Sequence, residues 1–139
     1  MDRHILLVED NRDDIELVRI AFERAGVANR LEVARDGEEA LQRLLGGTLP
    51  LPVLLLLDLR LPKVGGLEVL RRLREDPRTR LLPVVVLTTS QTDGDMVESY
   101  RLGANSYIRK PVDMDQFIAA MQRLGMYWMV LNVPPEPAR

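Results

Sequence analysis

The stretch Val53-Leu54-Leu55-Leu56-Leu57-Asp58 runs through five apolar residues and ends in a carboxylate. Leu51-Pro52 precedes it, and Leu59-Arg60-Leu61-Pro62 follows it. A short apolar run bounded by prolines is typical of a strand that is buried on both faces of a parallel sheet. In open α/β sheets, ligand sites lie at the carboxyl ends of the strands. Because burial of an unpaired charge is costly, we predict a chemical role for Asp58.

The composition indicates one ordinary globular domain and excludes several kinds of function. The chain has 139 residues, of which 46% are hydrophobic and 29% charged, and its net charge is −2. This charge gives no reason to expect a nucleic-acid or membrane partner. Cysteine is absent, which excludes disulfides, thiolate metal sites and thiol nucleophiles. A strand pattern starts too near the N-terminus to leave room for a signal peptide, so we expect a cytoplasmic protein.

Strand and helix patterns alternate along the chain. Segments with strand patterns cover residues 4–8, 31–34, 53–57, 83–87 and 106–109. The segments between them carry apolar residues at helical spacing, such as Ile15, Val18 and Phe22, and a last helix opens at Asp113. This alternation predicts an α/β fold, a doubly wound five-stranded parallel sheet with helices on both faces.

Polar side chains follow the predicted strands at the edge where parallel strands end together. Glu9 and Asp10 follow the first strand, Asp58 the third, Thr88 the fourth and Lys110 the fifth. We therefore expect one pocket with three carboxylates, a hydroxyl and an ammonium group. Carboxylates this close repel one another, and a hard divalent cation relieves the repulsion. Mg²⁺ fits best, because it leaves coordination positions for water or phosphate oxygens, which Thr88 and Lys110 can also bind.

These motifs closely resemble the receiver domain of two-component response regulators, and the resemblance extends from residue 3 to about residue 130. It implies a flavodoxin-like fold with the strand order 2-1-3-4-5. It also implies that residues 1–131 form a receiver domain with an extended C-terminal helix. Residues 132–139 are then a flexible proline-rich tail.

The resemblance assigns a role in phosphoryl transfer to individual residues. Asp58 is implied to be the phosphoacceptor, and Thr88 and Lys110 to bind the phosphoryl group. Thr88 and Tyr107 are implied to be the switch residues, with Tyr107 three places before Lys110. The peptide bond between Lys110 and Pro111 is usually cis in this family.

A metal site is implied in the same way. Asp10 and Asp58 would bind Mg²⁺ directly, or Mn²⁺ in its place, together with the backbone carbonyl of Arg60. Glu9 would act mostly through water. Many members of the family have aspartate where this chain has Glu9.

The function implied is that of a single-domain signalling protein. A histidine kinase would supply the phosphoryl group, and the output would be a conformational change and binding to another protein. Such a protein catalyses only its own phosphorylation and dephosphorylation, so we do not expect an enzyme. A Mg²⁺-dependent phosphohydrolase is one alternative, although such enzymes place a second acid where this chain has Arg60. A degenerate receiver used only for docking is the other, although docking does not need a charged pocket.

The end of the chain carries more apolar surface than one helix face can bury. All six residues from 126 to 131 are apolar or aromatic. One interpretation is a longer helix folded back over the core; the other, which we prefer, is a homodimer interface. The aromatic arm also resembles that of stand-alone regulators paired with bacterial phytochrome kinases. The predicted interface residues are Phe117, Met126, Tyr127, Trp128 and Met129.

Other polar residues are expected to have ordinary structural roles. Asp13 and Asp14 are predicted to be a helix cap and a solvated acid rather than metal ligands. His4 is expected on the surface. Four arginines are expected to lie on a solvated helix face: Arg71, Arg72, Arg74 and Arg78.

Overall fold

A computed structural model describes residues 3–124 of the chain, and the sheet has the predicted architecture. Five parallel strands alternate with five helices in this range, and the strand order is 2-1-3-4-5. The predicted fold class and strand order are therefore confirmed. The elements are β1 (Ile5–Val8), α1 (Arg12–Ala25), β2 (Leu31–Ala34), α2 (Gly37–Leu45), β3 (Leu54–Leu57), α3 (Gly66–Glu75), β4 (Val84–Thr88), α4 (Asp93–Arg101), β5 (Ser106–Arg109) and α5 (Met114–Leu124).

Strand β3 is buried on both faces, as its unbroken apolar run predicts. Leu54 and Leu56 belong to the hydrophobic cluster on the side of α1 and α5. Leu55 and Leu57 belong to the cluster on the side of α2 and α3. All four leucines are at most 1% exposed, and each contributes about 2 kcal/mol through burial. The strand therefore holds the residue that follows it in a rigid frame.

The register of the sheet determines which residues meet at its edge. Val8 pairs with Leu57, so Glu9 and Asp58 leave the sheet side by side. The backbone N–H of Asp58 also donates to the carbonyl of Val8, at 3.1 Å. On the other side, the N–H of Lys110 donates to the carbonyl of Thr88, at 2.8 Å, and thereby ties the end of β5 to the end of β4.

The N-cap of helix α1 is Asn11, which was not predicted as a cap. The side-chain oxygen of Asn11 accepts a hydrogen bond from the N–H of Asp14, at 3.0 Å. The prediction that Asp13 or Asp14 is the cap is wrong, because both lie inside the first turn. There their charges face the positive end of the helix, which is favourable in itself.

Two predicted surface residues are covered in the structure. His4 is 5% exposed, because it leads into β1, which lies between β2 and β3. Arg74 is half-buried, and its guanidinium donates to the backbone carbonyls of four residues: Thr79, Arg80, Leu102 and Gly103. Arg71 and Arg72 are exposed and pair with Glu68, so the solvated interpretation holds for them.

Within residues 3–124, no helix combines the length and the apolar character that a membrane span requires.

Candidate functional site

Three acids meet at the carboxyl edge of the sheet. One carboxylate oxygen from each of Glu9, Asp10 and Asp58 lies within 4.8 Å of the other two. Glu9 is 1% and Asp58 4% exposed, whereas Asp10 is exposed. They line an open cleft of about 470 Å³, together with Asn11, Arg12, Asp14, Arg60, Thr89 and Lys110. The donor set is all oxygen and carries up to three negative charges, which suits a hard divalent cation.

Lys110 is the cation on the floor of this cleft. Its Nζ lies 2.5 Å from Glu9 Oε1, 2.8 Å from Asp14 Oδ2 and 3.4 Å from Asp58 Oδ2. Burial alone would lower the pKa of Lys110, but the hydrogen bonds to Asp14 and Glu9 and the charge of Asp58 outweigh it and raise that pKa. Lys110 therefore stays charged at any physiological pH.

Glu9 is the acid most affected by this environment. Burial raises the pKa of Glu9 to about 7, the hydrogen bond from Lys110 opposes the rise, and the charge of Asp58 adds to it. The hydrogen bond from Lys110 therefore does not fully offset the cost of burying the charged carboxylate of Glu9. A bound divalent cation would supply the missing positive charge and favour ionised Glu9.

The carboxylate of Asp58 is held from two sides. Its Oδ1 accepts from the backbone N–H of Arg60, at 3.1 Å, and its Oδ2 faces Lys110. Gly66, the first residue of α3, packs directly against the chain that leaves β3. A Cβ atom at Gly66 would lie 2.3 Å from the carbonyl oxygen of Asp58 and 2.6 Å from the Cα of Leu59, so no larger residue fits there. The guanidinium of Arg60 itself is exposed.

Thr88 lies behind the surface of the cleft. It is 0% exposed, and its hydroxyl accepts from the N–H of Ser90, at 3.3 Å. The neighbouring Thr89 is the residue of β4 and its exit loop that lines the cleft.

Tyr107 is half-buried and packs against the α2–α3 side of the core. Its ring centroid lies 6.5 Å from that of Tyr100 and 5.9 Å from the guanidinium carbon of Arg109. Within the described part of the chain, its buried hydroxyl has no hydrogen-bond partner. A buried hydroxyl without a partner destabilises its position by about 1–3 kcal/mol. The peptide bond between Lys110 and Pro111 is cis.

Asp14 is the site residue that the sequence interpretation missed. Its carboxylate binds Lys110 instead of solvent, which corrects its prediction as a solvated acid. Its spacing in the sequence carried no signal, because Asp14 reaches the site only through the side chain of Lys110.

The predicted interface lies mostly outside the described residues. Met126, Tyr127, Trp128 and Met129 all follow residue 124. Phe117 is described, and it is 3% exposed within the hydrophobic cluster on the α1 side of the sheet. The core covers the Phe117 side chain in this conformation, and its contact with a partner stays a prediction.

Comparisons with known proteins agree with this geometry. The relatives include the probable methanogenesis regulatory protein FilR2 of Methanothrix harundinacea, which is 45% identical over 137 residues; the match covers 96% of this chain and 88% of FilR2. The response regulator Rcp1 of Synechocystis is 36% identical over 129 residues, which cover 90% of this chain and 88% of Rcp1.

Solved structures show the same similarity in three dimensions. The crystal structure of the phosphorylated cyanobacterial phytochrome response regulator RcpA matches with a TM-score of 0.85 and 36% identity, and the match covers 98% of this chain and all of RcpA. The Mn²⁺-bound form of Rcp1 matches with a TM-score of 0.83 and 35% identity, over 96% of this chain and 99% of that one. Residues 5–122 match the family model of the response regulator receiver domain. The chain therefore belongs to the response regulator receiver domain family.

Proposed function

We propose that this protein accepts a phosphoryl group from a histidine kinase on the carboxylate of Asp58, in a Mg²⁺-dependent reaction, and signals through a conformational change and protein binding. Receiver-domain response regulators are signalling proteins that histidine kinases phosphorylate. The observation that carries the proposal is the position of Asp58. It is 4% exposed at the floor of an open cleft, grouped with two acids and 3.4 Å from the ammonium of Lys110.

The proposed step exchanges one bond to phosphorus for another. An Asp58 carboxylate oxygen attacks the phosphorus of a phosphohistidine on the kinase. The phosphorus–nitrogen bond breaks, its electron pair stays on the imidazole, and an acyl phosphate forms on Asp58. Lys110 binds an oxygen of the phosphoryl group and offsets its charge, which is a large part of what phosphoryl transfer requires.

Glu9, Asp10 and Asp58 are the residues that would hold Mg²⁺, or Mn²⁺ in its place, with the backbone carbonyl of Arg60 as a further ligand. Their oxygens are grouped closely enough for one ion. The ion would supply positive charge for the phosphoryl oxygens. The Mn²⁺-bound form of Rcp1 supports this assignment by analogy.

The proposed output begins at the end of β4. A phosphoryl group on Asp58 would recruit the hydroxyl of Thr88, whose oxygen accepts from the N–H of Ser90 and whose hydrogen is available to donate. Tyr107, with its unpartnered hydroxyl among the described residues, then repacks against β4 and α4. Repacking of this kind converts a local charge into a change of surface.

The proposed partners are a bacterial phytochrome kinase and a second copy of this chain. The similarity to RcpA, a phytochrome response regulator, supports the first. The apolar sequence over residues 126–131, which includes the aromatic residues Tyr127 and Trp128, supports the second. We expect the protein to act in the cytoplasm, where such kinases present their phosphohistidine.

The test is phosphorylation with a small acyl phosphate donor in the presence of Mg²⁺, followed by intact-mass measurement of the quenched protein. We expect an adduct of about 80 Da in the wild type, and none in Asp58→Asn or after chelation of the metal. Asp13→Asn is the matched control, because it makes the same change of charge at an exposed residue that does not line the cleft. We expect it to form the adduct like the wild type.

Two results would contradict the proposal. Steady release of inorganic phosphate without an adduct would indicate a phosphohydrolase. A wild-type protein that neither forms the adduct nor consumes the donor would indicate a docking module.

A further inference from the structure

Asp14 joins the first turn of α1 to the cleft through Lys110. Its Oδ2 lies 2.8 Å from Lys110 Nζ, whereas Oδ2 of Asp58 lies 3.4 Å from the same atom. The Asp14 side chain is 30% exposed and that of Lys110 is 7% exposed. The contact therefore lies at the inner wall of the cleft, where solvent only partly screens it.

The hydrogen-bonding capacity of Lys110 is fully used in this arrangement. An ammonium group has three N–H donors, and Nζ has three carboxylate neighbours, on Glu9, Asp14 and Asp58. To bind a phosphoryl oxygen on Asp58, Lys110 must give up one of these contacts. Which contact remains then determines where the ammonium group points.

Asp14 is the neighbour best placed to remain. Glu9 and Asp58 belong to the cluster of acids that suits a metal ion, and Asp14 does not. Asp58 would in addition carry the phosphoryl group. Its position on α1 is fixed by the Asn11 cap and by the burial of Ile15 beside it. The contact of Asp14 with Lys110 is thus compatible with an occupied cleft.

Without Asp14, the lysine would have room to move. A cavity of about 90 Å³ lies next to the cleft, lined by Asp14 and Lys110 and by four apolar residues: Leu17, Leu87, Pro111 and Val112. The four-carbon stem of Lys110 is flexible, so only its polar contacts fix the ammonium group against this space.

We propose that Asp14 is a positioning residue, which holds the ammonium group of Lys110 at the floor of the cleft while Asp58 receives the phosphoryl group. This inference rests on the proposed function and adds to it a residue outside the metal and phosphoryl ligands. Asp14 touches neither the substrate nor the reacting atoms; it acts through Lys110 alone.

The first test is the rate of adduct formation on Asp58 from a small acyl phosphate in Mg²⁺. Loss of one charge-assisted hydrogen bond to a group essential for transfer should slow the rate in Asp14→Asn about tenfold. Asp14→Glu keeps the charge and should recover most of the rate. Asp13→Asn makes the same change of charge in the same helical turn, at an exposed residue, and should react like the wild type.

The second test observes the ammonium group of Lys110 directly by NMR, in the absence of metal and of a phosphoryl donor. In ¹⁵N-lysine NMR spectra, a Lys110 ammonium held by three acids should give a resonance that Lys110→Arg removes. Asp14→Asn should shift and broaden this resonance, and Asp13→Asn should leave it unchanged. Thermal unfolding of each variant establishes that it is folded.

The outcomes separate this inference from the proposed function. A wild-type protein that forms no adduct contradicts the function itself. A wild-type protein that forms the adduct, with Asp14→Asn reacting equally fast, overturns the positioning role of Asp14 and leaves the function standing. An unchanged Lys110 resonance in Asp14→Asn also overturns it.

Discussion

The carboxylate of Glu9 is buried beside a second acid, and its ionisation therefore opposes folding. Its pKa is about 7 in the folded protein and 4.5 as the ordinary value. Between these two values the folded state holds the proton more tightly than the unfolded state, so stability falls as the pH rises from 4.5 to about 7 and then levels off. We expect Glu9→Gln to remove this part of the pH dependence.

The measurement is the free energy of unfolding of the metal-free protein, from urea titrations across that pH range. Carboxylates with a lowered pKa, such as Glu32, contribute in the opposite direction, but they do so equally in both proteins. The difference between wild type and variant therefore isolates Glu9. Glu16→Gln, at an exposed position of α1, is the control. Equal pH slopes for wild type and Glu9→Gln would contradict the assignment.

The place of a site residue could be predicted from the sequence where the residue directly follows a strand. It could not be predicted where the residue reaches the site only through the side chain of another residue. Glu9, Asp58 and Lys110 each come immediately after a strand, so the topology alone brings them to one edge. Asp14 enters the cleft only because the Lys110 side chain reaches back across the sheet edge to α1. No pattern in the sequence predicts the direction that the Lys110 side chain takes.

At the scale of elements, Arg74 links the end of α3 to the end of α4. We expect Arg74→Ala to lower the free energy of unfolding by about 2–3 kcal/mol, because it removes hydrogen bonds from a charged donor and leaves the carbonyl of Leu102, in a partly buried contact, without that donor. The distances from its guanidinium to the four carbonyl oxygens are 2.8 Å (Leu102), 2.9 Å (Gly103), 3.0 Å (Arg80) and 3.2 Å (Thr79).

Arg72→Ala is the matched control for this prediction. Arg72 lies on the same helix but is exposed, and it contacts only Glu68 among the interactions described for it. An exposed ion pair of this kind contributes little to stability, because solvent screens it. Urea unfolding of both variants measures the comparison, and equal losses would show that the Arg74 contacts add nothing to stability.

The elements themselves followed from apolar patterns, while their ends depended on backbone chemistry. The strand over residues 31–34 has the predicted bounds, because the alternation of apolar and polar residues defines it locally. The predicted N-cap of α1 was wrong because Asn and Asp are nearly equal as caps, and three such residues occur between positions 11 and 14. Only the backbone conformation distinguishes them.

At the scale of the whole molecule, the proposed homodimer can be tested through its interface. If residues 126–131 form the proposed homodimer interface, Trp128→Glu should convert a dimer to a monomer in light-scattering measurements, because a buried unpaired charge is costly at an interface. Val97→Glu places the same charge at an exposed apolar residue of α4 and should leave the dimer intact. A dimer that survives Trp128→Glu, or one that Val97→Glu disrupts, would contradict this location of the interface.

The architecture of the whole molecule was the most predictable level. Alternating strands and helices leave a parallel sheet as the simplest solution, and the resemblance to receiver domains added the strand order. Phe117 packs on the sheet, but its spacing in α5 is equally consistent with contact to a partner. Spacing indicates which face is apolar and does not indicate what covers it.

The uneven burial of the helices has a consequence for where the molecule opens. Helices α1, α2 and α3 each bury four residues, whereas Ser99 is the one buried residue of α4. Val97 and Tyr100 of α4 are each about half exposed. Local unfolding free energies follow buried contact, so α4 belongs to the least stable cooperative unit among these four helices. The proposed signal at β4 would therefore need only a small part of the total folding free energy to rearrange α4, while the rest of the sheet stays in place.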